Sequence, residues 1–500
     1  MKDVYEQSSS DAPVGEPITN DSLRAIERKY ELYKPFDITE VIDPVEGTTK
    51  TPSYTAAEKK LLKKVIFAVM PLVCTVQYVQ ITDKFTLNSA GVMGIYEDTS
   101  ITHDQFSLLG SIFFVGFLVN QFPNAYFLQR LPIAKYFGTM SKSFSELAGL
   151  RFLLGLLEAT SAPTILLVIN VFFRRKEQTI CIAAMQLSSE VAVIFSHLII
   201  YGIGHLDGHH GIRAWKWNFI IWSLVTIFVG ICVFIFLPDQ KESRWFRLTT
   251  TEMEIIKERV CDTGMVQNKQ FKLKHVIESI KEPRLYCYCL IVVLLCLQNG
   301  SVSLYSSQII RDSGFSKLDS VILNVPRGIS AIIIMFAAGY ISQRYNDTTH
   351  VGASMAFLFF VGALILTTVQ FGAVRLIGVY LSTMLPAYVL MQSSCAKNVI
   401  GYTKKTFYNA CIYVSICVGN FIGPLMLREE EAPRYISAMI GFMIADLIAV
   451  ATFFYIYWWY KRENKRRYQL RSEGKIPDMA LERDQMDLTD KEDLTFIYSY

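Results

Sequence analysis

The sequence predicts an all-α polytopic membrane protein folded as two helical half-bundles, and three observations carry that prediction. Of 500 residues, 51% are hydrophobic and 19% charged, and the mean hydropathy is +0.29, more apolar surface than one soluble core can bury. Apolar runs of bilayer-spanning length recur along most of the chain. A charged stretch at 240–284 divides these runs into two sets.

A spanning helix needs about 20 mostly apolar residues. In the first set such runs lie at 65–82, 106–128, 152–173, 179–203 and 217–237, the last closed by Leu237-Pro238-Asp239. The second set opens at 285–305 and continues at 320–341, 350–370, 373–395, 406–427 and 435–460. These are eleven clear spans where two equal halves of six are expected. The predicted organisation is a cytosolic N-terminal tail (1–63), an N-terminal half-bundle (64–239), a cytosolic linker (240–284), a C-terminal half-bundle (285–460) and a cytosolic C-terminal tail (461–500). The linker reads as an amphipathic helix, with Thr250 or Thr251 as N-cap before Glu252 and Glu254. The N-terminal tail to Ala57 and the tail after Arg467 are polar and charge-mixed, which predicts disorder with short helices.

The ten cysteines lie mostly inside spans without paired short spacings, so neither a disulfide framework nor a zinc site is indicated, and no cofactor is expected. No cleavable signal peptide is expected, because the first apolar run begins near Val65, after a polar tail. The net charge of +4 is nearly balanced and its basic residues gather at span ends, a signal of orientation and not of nucleic-acid binding. By the positive-inside rule, Lys59-Lys60, Lys63-Lys64, Arg174-Arg175-Lys176, the 241–284 loop, Lys404-Lys405 and the 461–467 cluster are cytosolic.

That rule exposes a gap. With the first span leaving the cytosol and the second returning, Arg130 is inside, and Arg174 can be inside only if something crosses between Arg130 and Arg151. The stretch 131–150 is a poor span. Lys135, Lys142 and Glu146 each cost roughly 2.5–3.5 kcal/mol at a helix centre, and Pro132 interrupts the start. Either a short crossing forms with snorkelling lysines, or the third span is truncated.

Several local motifs, in order, resemble the fungal allantoate permease family within the anion:cation symporter branch of the major facilitator superfamily. They are Asp83-Lys84 with Asn88, Arg151-Phe152-Leu153-Leu154-Gly155 with Glu158, Trp215-Lys216-Trp217, Gly401-Tyr402-Thr403-Lys404-Lys405, Gly419-Asn420-Phe421-Ile422-Gly423-Pro424 and Ala432-Pro433-Arg434-Tyr435. The resemblance covers most of 60–467, and it implies a twelve-span fold whose third span is missing between about Thr139 and Lys142.

Ionisable residues inside spans are costly, so each is a candidate functional residue. Asp83 and Lys84 are an adjacent acid and base, readable as an interfacial anchor or as part of coupling. Arg151 and Glu158, seven residues apart, share one helix face that either lines a cavity or holds a structural pair. The resemblance implies substrate carboxylate at Arg151 and the proton at Glu158, with Asp83 as a second proton site and Lys84 beside the substrate. Arg327, about two turns inside its span, and Glu190, mid-span, stand where the family is usually uncharged, and either set substrate preference or hold helices together. Gln77, Gln80, Asn120, Gln298, Asn299 and Asn420 supply hydrogen bonds, to substrate or between helices. Asp446 in the last span is expected to be structurally paired. His205, His209 and His210 flank Asp207 and Gly208 without a closed ligand set, so a solvated loop and no metal is expected.

The expected protein is a monomeric, proton-coupled importer of a small organic anion such as allantoate, ureidosuccinate or a vitamin carboxylate, at the plasma membrane. A transport-deficient relative or a membrane nutrient sensor is the alternative. No nucleophile elbow or phosphate loop supports an enzyme.

Overall fold

The computed structural model describes residues 56–121, 144–159, 175–236, 272–369, 371–432, 434–473 and 489–500, with isolated positions between 161 and 173 and at 249 and 252. Among these residues every regular element is helical, and nine helical stretches are long and apolar enough to cross a bilayer. The first half comprises α1 (Ala56–Ala90), a short α2 (Ile95–Thr99), α3 (His103–Gln121), α4 (Phe144–Glu158), α5 (Arg175–Gly204) and α6 (Ala214–Phe236). After the linker helix α7 (Leu273–Ile280) come α8 (Pro283–Arg311), α9 (Lys317–Ile322), α10 (Val325–Tyr345), α11 (Thr349–Thr368), α12 (Ala373–Leu381), α13 (Leu385–Asn398), α14 (Tyr402–Leu425) and α15 (Ile436–Ser472).

The crossing in question between 131 and 150 lies outside the described residues except for 144–150, which open α4. Thr250 and Thr251 also lie outside them. The reciprocal capping bonds there run between Thr249 and Glu252 (Glu252 Oε2 accepts from the Thr249 N–H at 2.9 Å, and Thr249 Oγ1 from the Glu252 N–H at 3.3 Å).

Two apolar runs that read as single spans are broken helices. Residues 320–341 divide at Leu323-Asn324, and Pro326 opens α10, so Arg327 sits in its first turn and not two turns inside. Residues 373–395 divide at Ser382-Thr383-Met384, and Pro386 opens α13.

Close helix contacts rest on small residues. A Cβ on Gly155 of α4 would strike the Phe113 carbonyl of α3, and one on Gly116 the Phe152 carbonyl, so the two backbones pack directly against each other. In the second half α8 and α14 meet at Gly300, Gly419 and Gly423. A valine at Gly155 is expected to push α3 from α4, costing roughly 1–3 kcal/mol. A lowered thermal midpoint of the purified protein checks this.

The halves join through α3 with α14 and α5 with α10. At the end of the bundle remote from Lys63 and Lys64 they share one core, in which Phe85, Val92 and Phe106 pack with Leu304, Tyr305 and Ile310. Polar bonds seal it: Asn88 donates to Ser306 Oγ and the Ser303 carbonyl at 2.7 Å, Gln308 donates to Tyr96 Oη at 2.7 Å, and Ser107 and Tyr305 hydroxyls lie 2.6 Å apart. Toward the basic end each half has its own core, one built on Leu61, Val65 and Phe172, the other on Leu285, Tyr288 and Tyr408.

The second tail departs from its expected disorder. α15 continues past Arg467 to Ser472, and residues 489–500 dock against the second half. Asp490 is fully buried, 2.6 Å from Arg284 Nη2 and 2.8 Å from Lys404 Nζ, and accepts from the Tyr498 hydroxyl at 2.7 Å. Glu282 pairs with the same two cations and accepts from Tyr408. Arg467 donates to the carbonyls of Asp490 and Phe496, Asn398 exchanges two bonds with the Ser499 backbone, and Thr348 donates to the Tyr500 carbonyl. Burial alone would raise the Asp490 carboxyl, but Arg284 and Lys404 outweigh it and push it down to about 2.

Asp446 also departs from expectation. It is buried in α15, and among the described residues neither carboxyl oxygen has a hydrogen-bond partner. His205, His209 and His210 are exposed, and Asp207 caps α6 through the Ala214 N–H; the described residues hold no metal-ligand cluster.

Candidate functional site

Between the halves lies a cavity of about 280 Å³. Its wall includes Gln77 and Lys84 of α1, Arg151 of α4, Glu190 of α5, Asn299 of α8, Arg327 of α10 and Asn420 of α14, so seven of the twelve charged and polar residues singled out in the sequence for the site converge on one space. Asp83 and Glu158 are not part of the wall; they pair with its cations.

The pairing runs across helices and not along one. Arg151 Nη1 lies 3.6 Å from Asp83 Oδ2, and Lys84 Nζ lies 3.8 Å from Glu158 Oε1. Neighbours on α1 thus each face a partner on α4, which the tight α3–α4 contact at Gly155 holds in place. Glu158 is nearly enclosed, its side chain 9% exposed, whereas Lys84 is 34% exposed toward the cavity. Both ion pairs are long, and Arg151 Nη2 is buried without a hydrogen-bond partner among the described residues. Lys84 also lies 5.3 Å from the Phe113 ring and Arg151 5.6 Å from that of Phe219, which orient both cations.

A carboxylate and a cation at ion-pair distance in a nearly dry site hold each other's charge. An anion that reaches Lys84 and Arg151 from the cavity competes with Glu158 and Asp83 for them. The carboxylate that loses its cation is then a buried, unpaired charge, a state that proton binding relieves.

The polar residues divide between cavity and helix contacts. Gln77 donates to Ser189 at 3.0 Å, and Asn299 donates to Asn420 Oδ1 at 3.0 Å, both pairs at the cavity wall. Gln80 bonds Ser161, Asn120 donates to the Leu156 carbonyl and Gln298 to Ser382, all holding helices together. Gln186, Ser189, Thr383, Met384 and Tyr388 were missed as wall residues. Pro386 was the one signal for the break that brings Thr383 and Met384 there.

Known proteins match this architecture. The profile of the Major Facilitator Superfamily matches residues 73–424. An uncharacterized transporter of Schizosaccharomyces pombe is 30% identical over 90% of this chain and 89% of its own. The thiamine pathway transporter and the allantoate permease of Saccharomyces cerevisiae are 28% and 25% identical, each over 88% of this chain and 86% of its own. Among solved structures, a bacterial homolog of the human lysosomal transporter Spinster, inward-facing and occupied, superposes with TM-score 0.58 at 14% identity over 77% of this chain and 95% of its own. A D-xylose-proton symporter gives 0.55 at 12% identity over 78% and 97%. A multi-pass helical membrane protein with a cavity between two halves, a matching profile over most of its length and fungal permeases among its relatives, the chain belongs to the Major Facilitator Superfamily and is a secondary transporter, not an enzyme.

Proposed function

We propose that this transporter imports a small organic anion together with protons across the plasma membrane, as a monomer with both termini in the cytosol. The observation that carries the reading is the quartet Asp83–Arg151 and Lys84–Glu158, with cations on the cavity wall and carboxylates paired to them. The substrate carboxylate binds Arg151 and Lys84, and Glu158, with Asp83 in support, takes the proton that substrate binding makes favourable. A protonated Glu158 releases Lys84 to the anion, so each ligand raises the affinity for the other.

With the basic clusters in the cytosol, the shared core at Phe85, Phe106 and Tyr305 closes the outer side, and the separate cores at the other end support an inward-facing reading of this conformation. The Asn88–Ser306 and Gln308–Tyr96 bonds then form the outer gate, which must break for substrate to enter. The allantoate permease relative supports an organic anion as substrate.

Arg151→Gln removes the cation that is best placed for a carboxylate. In whole-cell assays of a panel of nitrogen, sulfur and vitamin anions, it is expected to lower affinity for the transported anion by about 10- to 100-fold. Unchanged uptake in this variant contradicts the assignment. An anion that binds the wild-type protein but is never taken up points to a sensor.

A further inference from the structure

We infer that the second half carries its own anion subsite, formed by Arg327 and the open N-terminus of α13, so that the substrate bears acidic groups at both ends and bridges the two halves. The inference rests on the cavity being the substrate site.

Arg327 is 7% exposed, lines the cavity, and its Nη1 has no hydrogen-bond partner among the described residues. Glu190 of α5 faces it electrostatically, yet among the described residues no carboxylate comes within ion-pair distance. The Phe85 ring, 5.8 Å from its Cζ, is its other neighbour of note. A buried guanidinium on a cavity wall with an unused donor is an arrangement that an incoming acceptor completes.

The second component is the break in the α12–α13 span. α13 has 14 residues and begins at Leu385, and among the described residues its N-cap, Met384, has no side-chain cap bond. Thr383, Met384 and Leu385 all line the same cavity. The first N–H groups of a helix lack intrahelical partners and carry the positive end of its dipole, and broken membrane helices present such ends to anionic substrate groups. The two components share a wall, because Ser330, one turn beyond Arg327, donates to the Tyr380 carbonyl of α12 at 3.0 Å.

Arg151 and Lys84 of the first half line the same cavity. An anion held at both ends ties the halves together around itself. Charge supports this: Lys84, Arg151 and Arg327 face Asp83, Glu158 and Glu190, three against three, so a dianion enters a neutral site best with two protons.

The test is binding of succinate, glutarate and adipate, and of the matching monocarboxylates butyrate, valerate and caproate, to the purified protein in lipid nanodiscs. At least one dicarboxylate is expected to bind about tenfold or more tighter than its monocarboxylate match, the worth of one charge-assisted contact. Arg327→Gln should bring that ratio to about one. Met384→Asp supplies an internal cap, so it should erase the ratio while leaving the thermal midpoint unchanged or raised. Equal binding of both series, no binding by any dicarboxylate, or a ratio untouched by both variants overturns the subsite. Should Arg151→Gln leave all binding unchanged, the assignment of the cavity itself fails instead.

Discussion

Glu158→Gln is expected to abolish accumulation of the anion against its gradient, by about a hundredfold or more, while leaving exchange of anion across the membrane at equilibrium. Glutamine has the shape of the protonated acid but no charge, so Lys84 is released to the cavity permanently. Leaving one member of a buried ion pair alone costs on the order of 3–5 kcal/mol, which in the wild type is what links anion binding to proton binding. The glutamine variant has no such state to relieve. Its anion affinity should therefore lose the part of its pH dependence that Glu158 carries, and counterflow exchange, which needs no net proton movement, should persist. Measuring accumulation and counterflow side by side in proteoliposomes separates lost coupling from lost folding; a variant that still accumulates substrate removes Glu158 from the mechanism.

Asp490→Asn is expected to produce the largest loss of stability, about 3 kcal/mol, together with release of residues 489–500 from the second half. Arg284 and Lys404 are both buried, and Asp490 lies within 2.8 Å of each. The amide keeps the shape and one acceptor but leaves part of that positive charge unbalanced. The same site sets an acid limit. Because the folded-state pKa of Asp490 is depressed to about 2, its contribution, about 2–3 kcal/mol, is complete above the ordinary aspartate range and is lost as pH falls through about 2. Between pH 5 and 8 this group should leave the thermal midpoint flat, and the asparagine variant should lose the acid-side fall. A midpoint in Asp490→Asn equal to that of the wild type contradicts the role given to residues 489–500.

The fold was legible because spanning helices are read by length and apolarity, and these survive without any knowledge of packing. The four central residues were legible for a related reason: Asp83, Lys84, Arg151 and Glu158 sit where charge is expensive, so their presence alone singled them out. Their pairing was not. Spacing along α4 gives the face that Arg151 and Glu158 share, but not which group on α1 each meets, and the contacts cross over to Asp83 and Lys84. The two helix breaks were hidden inside apolar runs that average as one span; only Pro326 and Pro386 hinted at them.

The C-terminal tail was misread on composition. Its charges look solvated in a polar sequence, yet Asp490 meets cations more than eighty residues away, a relation no local pattern carries. Thr489 and Glu492, which exchange the bonds of a capping box, were the one local sign of order. Asp446 was assigned a partner that the described residues do not supply.

On the proposed mechanism, anion entry through this cavity carries protons by way of Glu158. Its most direct test is proton movement in proteoliposomes loaded with a pH-sensitive dye, recorded as each anion of the panel is added outside. A transported anion is expected to drive protons inward in the wild-type protein and not in Glu158→Gln. Anion uptake with no proton movement, or proton movement undiminished in the variant, contradicts it.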